Sequence, residues 1–254
     1  IEAIKTLKKI EAENRQATPA EQKILAQYKG WGGLAEAFFD YLYSKQLYSI
    51  LTTQEYNEVQ ATVNNAHYTS ARVITHMYDA LKRMGFKGGN LLEPSMGVGN
   101  FFGLIPKDFA GKTNLYGVEI DSITGRIAQQ LYPDATIYIA PYQDVPFTNG
   151  SFDVAIGNVP FLEVYYKYDG NKYTLHDYFF IKTLDKVKDN GIVMFLTSTG
   201  TLDKQNSNAR KAIAEKADLI AAARLPNNAF KKNAGTSVTT DLIILKKRPK
   251  GAES

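Results

Sequence analysis

The sequence has no cysteine, which excludes disulfide bonds and thiolate metal sites. Its three histidines, His67, His76 and His176, are too widely spaced to indicate a zinc site, so no bound metal is expected. No run of about 18 apolar residues is present, so no membrane span is expected. No signal peptide is visible either.

The composition is that of a globular chain. Its 254 residues are 44% hydrophobic, enough for one sizeable core and an accessory part. The net charge of +4 is compatible with a polyanionic partner but does not require one. The chain starts at Ile1 without a methionine, so we expect a fragment or trimmed piece of a longer protein.

The residue pattern divides the chain into three parts. Residues 1–65 have helical spacing, and Thr18-Pro19-Ala20-Glu21 predicts a capping box with proline at the first helical position. Residues 66–248 alternate between strand and helix patterns and form the predicted catalytic domain. Residues 249–254 form a basic tail with the solvated character of a terminus.

The central part predicts an α/β fold. Strand–helix alternation at this spacing is typical of a mostly parallel sheet with helices on both faces. Helices are predicted at residues 34–47, 100–105, 122–131, 175–188 and 205–216. Two further helices are predicted to begin at N-caps, one at Thr53 and one at Ser70. Strands are predicted at 91–92, 115–119, 136–140, 154–157, 192–197, 218–224 and 238–246, the last two as an antiparallel hairpin.

The glycine-rich turn after the first strand predicts a nucleoside cofactor. Gly97 and Gly99 allow a ligand to approach the backbone, but Phe102 stands where a dinucleotide fingerprint requires a third glycine. A carboxylate at Glu93 repels a pyrophosphate and suits the positive amino group of a methionine moiety, which favours S-adenosylmethionine over NAD. The candidate cofactor residues of this turn are Glu93, Pro94, Ser95, Gly97, Gly99, Asn100 and Phe101.

Two further segments extend the predicted cofactor site. Glu119 at the tip of the second strand can bind both ribose hydroxyls, and Ile120 can pack on an adenine face. Alternatively, Glu119 is a carboxylate at the start of the next helix, where the helix dipole favours a negative charge. Gln143 and Asp144 follow the third strand, where a side chain can meet the adenine amine, although ordinary turn chemistry also accounts for them.

The segment Asp153–Phe161 predicts a site for a planar amine. Val154, Ala155 and Ile156 form a buried strand, after which Pro160 cannot continue a ladder. The strand thus delivers the Asn158 side chain, the Val159 carbonyl and the Phe161 ring to one edge of the sheet. An amide and a carbonyl accept the two hydrogens of an exocyclic amine while an aromatic ring stacks on the base, as in recognition of a flipped base.

These motifs together resemble the amino-group DNA methyltransferases, specifically the γ class of adenine-N6 enzymes. Glu93–Phe101 resembles the cofactor motif of that family, and Asn158-Val-Pro-Phe161 resembles its catalytic Asn-Pro-Pro-aromatic motif. Asn65–Ser70 resembles the segment that closes over the methionine end of the cofactor, which adds Tyr68 and Thr69 to the cofactor residues. Val159 departs from the motif, where a proline is commoner, and this predicts a less firmly held backbone.

The resemblance is closest to the methylase regions of large proteins from bacterial conjugative elements and phages. Tyr28–Leu34, Thr197–Gly200, Arg224-Leu-Pro226 and Thr239–Leu245 carry it. It implies a Rossmann-like S-adenosylmethionine-dependent methyltransferase fold with a seven-stranded sheet and an N-terminal helical extension. It also implies methylation of adenine N6 in DNA, a restriction–modification context, a bacterial cytoplasmic location, and helicase-like and target-recognition regions outside this chain.

Other functions stay open at this point. The Asn-x-Pro-aromatic motif also suits an amide nitrogen of a protein or a base in RNA. A degenerate module that binds DNA or partner domains without catalysis is a further alternative. The run of tyrosines and lysines at residues 165–173 is compatible with a DNA-contacting loop or with a plain surface loop.

Overall fold

The computed structural model describes residues 1–30, 40–62, 69–162, 164–226 and 239–251. Its helices are α1 Glu2–Ala12, α2 Pro19–Leu25, α3 Tyr41–Ile50, α4 Thr53–Thr62, α5 Ala71–Arg83, α6 Asn100–Gly103, α7 Ser122–Leu131, α8 Leu175–Lys186, α9 Gly200–Asp203 and α10 Asn208–Lys216. Its strands are β1 Gly89–Glu93, β2 Thr113–Glu119, β3 Thr136–Ile139, β4 Phe152–Asn158, β5 Tyr165–Tyr168, β6 Asn171–Thr174, β7 Val187–Ser198, β8 Ala217–Leu225 and β9 Thr240–Lys247.

A seven-stranded sheet lies at the centre, in the order β3-β2-β1-β4-β7-β9-β8. Strands β3, β2, β1, β4 and β7 pair in parallel, whereas β9 is antiparallel to both β7 and β8. The predicted parallel sheet and the antiparallel pairing of the last two strands are therefore confirmed.

Helices cover both faces of the sheet because its inner strands are apolar on both sides. Leu91 belongs to the hydrophobic cluster under α5, and the next residue, Leu92, belongs to the cluster under α8. This alternation follows from the two-residue period of a strand. The strand run of Val154, Ala155 and Ile156 has at most 1% exposure at each residue.

The helix starts are set by side-chain caps. Ser70 Oγ accepts from the Val73 N–H at 3.4 Å, and the capping box of Thr18 with Glu21 is present, so both predictions are confirmed. The predicted cap at Thr53 is wrong. Thr52 caps α4, because Glu55, three residues later, accepts from the Thr52 N–H at 2.7 Å.

The N-terminal helices pack against α7 of the sheet region. Apolar residues of α1, α2 and α4 share one hydrophobic cluster with Ile123 and Ile127 of α7. Arg126 of α7 binds both carboxylate oxygens of Glu11 at 2.9 Å and also pairs with Glu55. The same residues thus tie the helical region to the helix that follows Glu119.

The segment at residues 165–173 is a two-stranded antiparallel hairpin, β5–β6, rather than a loop. Asp169 and Gly170 at its tip both have positive φ angles, 48° and 77°, as a type I′ turn requires. Tyr168 Oη donates to Asp185 of α8 at 2.7 Å, which fixes the hairpin against the sheet region. The first six residues of the helix predicted at 34–47, residues 34–39, lie outside the described residues, as does Trp31.

Candidate cofactor and substrate site

A cavity of about 340 Å³ lies at the carboxyl ends of β1, β2 and β4. Ligands of open α/β sheets bind at this edge, and this volume is in the range of small-molecule pockets. The lining residues are Gly30, Thr69, Glu93, Pro94, Ser95, Met96, Gly97, Asn100, Phe101, Val118, Glu119, Ile120, Asp121, Thr124, Ala140, Pro141, Tyr142, Gln143, Asn158, Val159, Pro160, Leu162, Tyr166, Leu175 and Phe179.

The glycine turn passes close to the second strand. The Met96 N–H donates to the Val118 carbonyl at 2.9 Å, and a β-carbon at Gly117 would lie 2.1 Å from Met96 Sδ. Gly99 has a φ of +80°, and a β-carbon there would lie 2.5 Å from the Tyr132 ring. The turn therefore needs glycine for close packing as well as for its left-handed backbone.

Glu119 holds the turn and the second strand together. One carboxylate oxygen accepts from the Gly97 N–H at 2.8 Å, and the other accepts from the Asp121 N–H at 2.8 Å. Burial raises the pKa of Glu119 to about 7, although the backbone hydrogen bonds oppose this shift. The carboxylate has about four lone-pair sites, and the backbone N–H groups of Gly97, Ile120 and Asp121 leave room for a ligand hydroxyl to donate.

Glu93 is a buried carboxylate that lacks a cation among the described residues. It is 2% exposed, and its Oε2 has no hydrogen-bond partner in the described part of the chain. Burial raises the pKa of Glu93 well above its ordinary value, and the nearby charge of Glu119 adds to the shift. Thr69 Oγ1 is also buried without a described partner. An ammonium or sulfonium group suits these acceptors, so the residues fit S-adenosylmethionine.

An apolar compartment continues from the second strand. Ile120 lines the cavity with 57% of its surface exposed, so its side chain is accessible to a ligand. Gln143 lines the same compartment. Lys182 lies behind it and donates to the Tyr142 carbonyl at 2.7 Å. Burial lowers the pKa of Lys182 to about 8.

Asn158, Val159 and Pro160 line the same cavity as the glycine turn. The Val159 N–H donates to the Leu196 carbonyl of β7 at 3.0 Å, and Val159 is 1% exposed. Valine keeps an N–H that proline lacks, and this N–H extends the pairing of β4 with β7.

The cavity brings together most of the predicted residues. The predicted residues that line the cavity are Thr69, Glu93, Pro94, Ser95, Gly97, Asn100, Phe101, Glu119, Ile120, Gln143, Asn158, Val159 and Pro160. Gly99, Asp144 and Phe161 do not line it. Tyr68 lies outside the described residues.

Twelve lining residues were not among the predicted site residues, and four of these lie after Pro160 in the chain, namely Leu162, Tyr166, Leu175 and Phe179. Tyr166 comes from the β5–β6 hairpin, which the dipeptide Asp169-Gly170 signals in the sequence. Leu175 and Phe179 are four residues apart on α8 and so share one face. Their spacing is that of ordinary core residues and does not by itself indicate a site.

Comparison with known proteins gives one sequence relative and many structural ones. The chain is 28% identical over 240 residues to the defense against restriction protein B of Escherichia phage P1. The match covers 91% of this chain and 9% of the phage protein, so the chain spans under a tenth of that relative. The predicted resemblance to proteins of phages is thereby confirmed. No protein-family model matches the chain.

Two of the similar solved structures are described as methyltransferases. A Listeria monocytogenes protein assigned to the class I S-adenosylmethionine-dependent methyltransferases matches with a TM-score of 0.62 at 14% identity, over 99% of this chain and 80% of its own. The methyltransferase subunit of a type I restriction-modification system from Streptococcus thermophilus matches with a TM-score of 0.59 at 22% identity, over 72% and 45%. The chain therefore has the S-adenosylmethionine-dependent methyltransferase fold, as predicted.

The described residues hold neither a metal-binding cluster of acidic and histidine side chains nor a membrane-spanning helix. No group of three or more histidine, aspartate or glutamate side chains there is arranged to hold a metal ion. No helix within the described ranges has the length and apolar character needed to cross a membrane.

Proposed function

We propose that this chain transfers a methyl group from S-adenosylmethionine to the N6 amine of adenine in DNA. One observation carries the proposal: a single cavity is lined by the glycine turn, by Glu119 and by Asn158-Val159-Pro160. A cofactor in the first part of the cavity and an amine beside Asn158 would then be neighbours. Proximity of this kind supplies much of the acceleration in a transfer between two bound groups.

The cofactor end would be held by acidic residues. The carboxylate of Glu119 accepts from the ribose hydroxyls, and Ile120 packs on the adenine ring. Glu93 and Thr69 face the charged methionine end, where their unpaired buried oxygens gain donors. S-Adenosylmethionine supplies an electrophilic methyl group on a positively charged sulfur when it is bound.

The substrate end would activate the amine without a metal or a covalent intermediate. The Asn158 side chain and the Val159 carbonyl accept the two hydrogens of the amine. These bonds localise the nitrogen lone pair, which otherwise delocalises into the ring. Because the Val159 N–H is bonded to Leu196, its carbonyl keeps a defined direction. Flipping the target base costs a few kcal/mol, which contacts in the cavity offset.

The DNA substrate is supported by the relatives and by charge. One similar structure is a restriction-modification methyltransferase subunit, and the phage relative is named for defense against restriction. A net charge of +4 favours a polyanion. We further propose that helicase-like and target-recognition regions belong to a larger protein, since the phage relative is much longer than this chain.

Calorimetric titration with S-adenosylmethionine tests the cofactor site. The intact chain should bind it, and Glu119→Ala should lose most of the affinity, whereas Asp144→Ala, outside the cavity, should retain it. Transfer of a radiolabelled methyl group to adenine-containing DNA then tests the reaction. Asn158→Ala should abolish transfer and leave cofactor binding in place. Transfer that survives Asn158→Ala would refute the assignment.

A further inference from the structure

A second cavity, of about 100 Å³, shares the β5–β6 hairpin and helix α8 with the first. It is formed by the β5–β6 hairpin, the start of α8 and the chain around α10. The lining residues are Tyr165, Lys172, Tyr173, Thr174, Asp177, Lys204, Asn206, Asn208 and Ala209. In the strand register Asn158 is level with Leu196 of β7, and β7 ends at Ser198, just before this region. Tyr166 and Leu175 line the first cavity and their chain neighbours Tyr165 and Thr174 line the second, so the two cavities are neighbours.

A buried carboxylate forms the floor of this cavity. Asp177 is 1% exposed, and its Oδ2 accepts from Thr174 Oγ1 at 2.7 Å and pairs with Lys204. Its other oxygen, Oδ1, has no hydrogen-bond partner among the residues the structure describes. His176 Nε2 lies 3.8 Å from Oδ1, beyond hydrogen-bond distance. A buried carboxylate oxygen left without a donor is unfavourable, so this atom is suited to an N–H of a ligand.

An aromatic ring and a lysine lie at the mouth of the same cavity. Tyr165 is 58% exposed, and Lys172 Nζ lies 4.9 Å from the centre of its ring. An exposed ring offers a stacking surface to a nucleobase, and an ammonium group offers a partner to a phosphate. The cavity thus combines a stacking surface, a cation and a buried acceptor.

We propose that this cavity binds a nucleotide that flanks the target adenine. Its base stacks on Tyr165, its exocyclic amine donates to Asp177 Oδ1, and its phosphate lies near Lys172. This inference rests on the proposed function, because it assumes a nucleic-acid strand at this edge of the sheet. Cytosine, with its N4 amine, satisfies Asp177, whereas thymine has no exocyclic amine.

Two single-stranded 12-mers with one central adenine test the proposal, one flanked only by cytosines and the other only by thymines. Fluorescence anisotropy should show tighter binding of the cytosine-flanked strand, by about fivefold or more. Asp177→Asn should remove this preference. Tyr165→Ala should lower the affinity for both strands alike, by at least about fivefold. Tyr43→Ala, an equally exposed tyrosine on α3, is the matched control and should change neither.

The possible outcomes distinguish a failure of the flanking-nucleotide proposal from a failure of the proposed methyl transfer. If the wild type binds both strands but Tyr165→Ala and Asp177→Asn leave affinity and preference unchanged, the subsite is refuted and the proposed function stands. If the wild type binds neither strand and transfers no methyl group to DNA, both proposals fail. Tyr165→Ala alone decides the stacking contact if Asp177→Asn, which alters a buried ion pair, does not fold.

Discussion

The buried carboxyl group of Glu119 is expected to make the stability of the ligand-free protein depend on pH. Its pKa is raised to about 7 in the folded protein by burial, whereas an unfolded chain has a glutamate pKa of about 4.3. The folded state therefore holds the proton more tightly, and stability is lost as pH rises through the folded pKa. Linkage gives a loss of about 2.5 kcal/mol in the free energy of unfolding between pH 5 and pH 8.

Urea unfolding at pH 5, 6, 7 and 8 measures this effect, with Glu119→Gln as the test variant. Glutamine cannot titrate, but its single amide oxygen can accept from only one of the N–H groups of Gly97 and Asp121, so the pH slope and not the absolute stability is compared. The variant should lose the part of the fall that Glu119 contributes, about 2.5 kcal/mol, and keep the part that comes from Glu93, whose pKa burial also raises. Asp144→Asn, an exposed carboxylate outside the cavity, should retain the full slope. Equal slopes in the wild type and Glu119→Gln would refute the assigned environment of Glu119.

Three further predictions concern the same cavity. Gln143→Ala should weaken S-adenosylmethionine binding several-fold while Asp144→Ala should not, because only Gln143 lines the cavity; calorimetry that ranks them the other way would contradict the geometry. Val159→Pro should lower the free energy of unfolding by about 1–3 kcal/mol, because it leaves the Leu196 carbonyl without its donor; unchanged urea unfolding would argue against that bond. Lys182→Met should weaken cofactor binding with little change in fold, because the ammonium group of Lys182 holds the Tyr142 carbonyl, next to Gln143. Unaltered affinity would show that Lys182 has only a structural role.

The central sheet could be predicted because its strands are buried on both faces. Leu91-Leu92 and Val154–Ile156 are apolar without helical period, which is the pattern of parallel strands under two helix layers. The β5–β6 hairpin was missed although Asp169-Gly170 is a strong turn signal, because the flanking tyrosines and lysines also suit a surface loop. The cap of α4 was misplaced by one residue, since Thr52 and Thr53 are both acceptable caps in isolation.

The site was predictable where its residues are contiguous in the chain. The glycine turn and Asn158-Val159-Pro160 each follow a buried strand, so parallel pairing places them at one edge. Phe179 was not predictable, because it reads as a core residue of α8. Gly99 has a different role from the one expected: it packs against Tyr132 and supports the turn without lining the cavity.

The register of β1 against β4 sets how the two ends of the cavity meet. Leu92 is level with Ala155, which places Glu93 and Asn158 at the ends of neighbouring strands. Gly157 lies between them, and a β-carbon there would be 3.5 Å from Glu93 Cγ, an ordinary contact. A slip of one residue would turn the Asn158 side chain to the opposite face of the sheet. The packing of β4 opposes such a slip, because it would exchange Val154 and Ile156 of one core cluster with Phe152 and Ala155 of the other. The packing that stabilises the sheet therefore also fixes the position of the Asn158 amide relative to the Glu93 carboxylate.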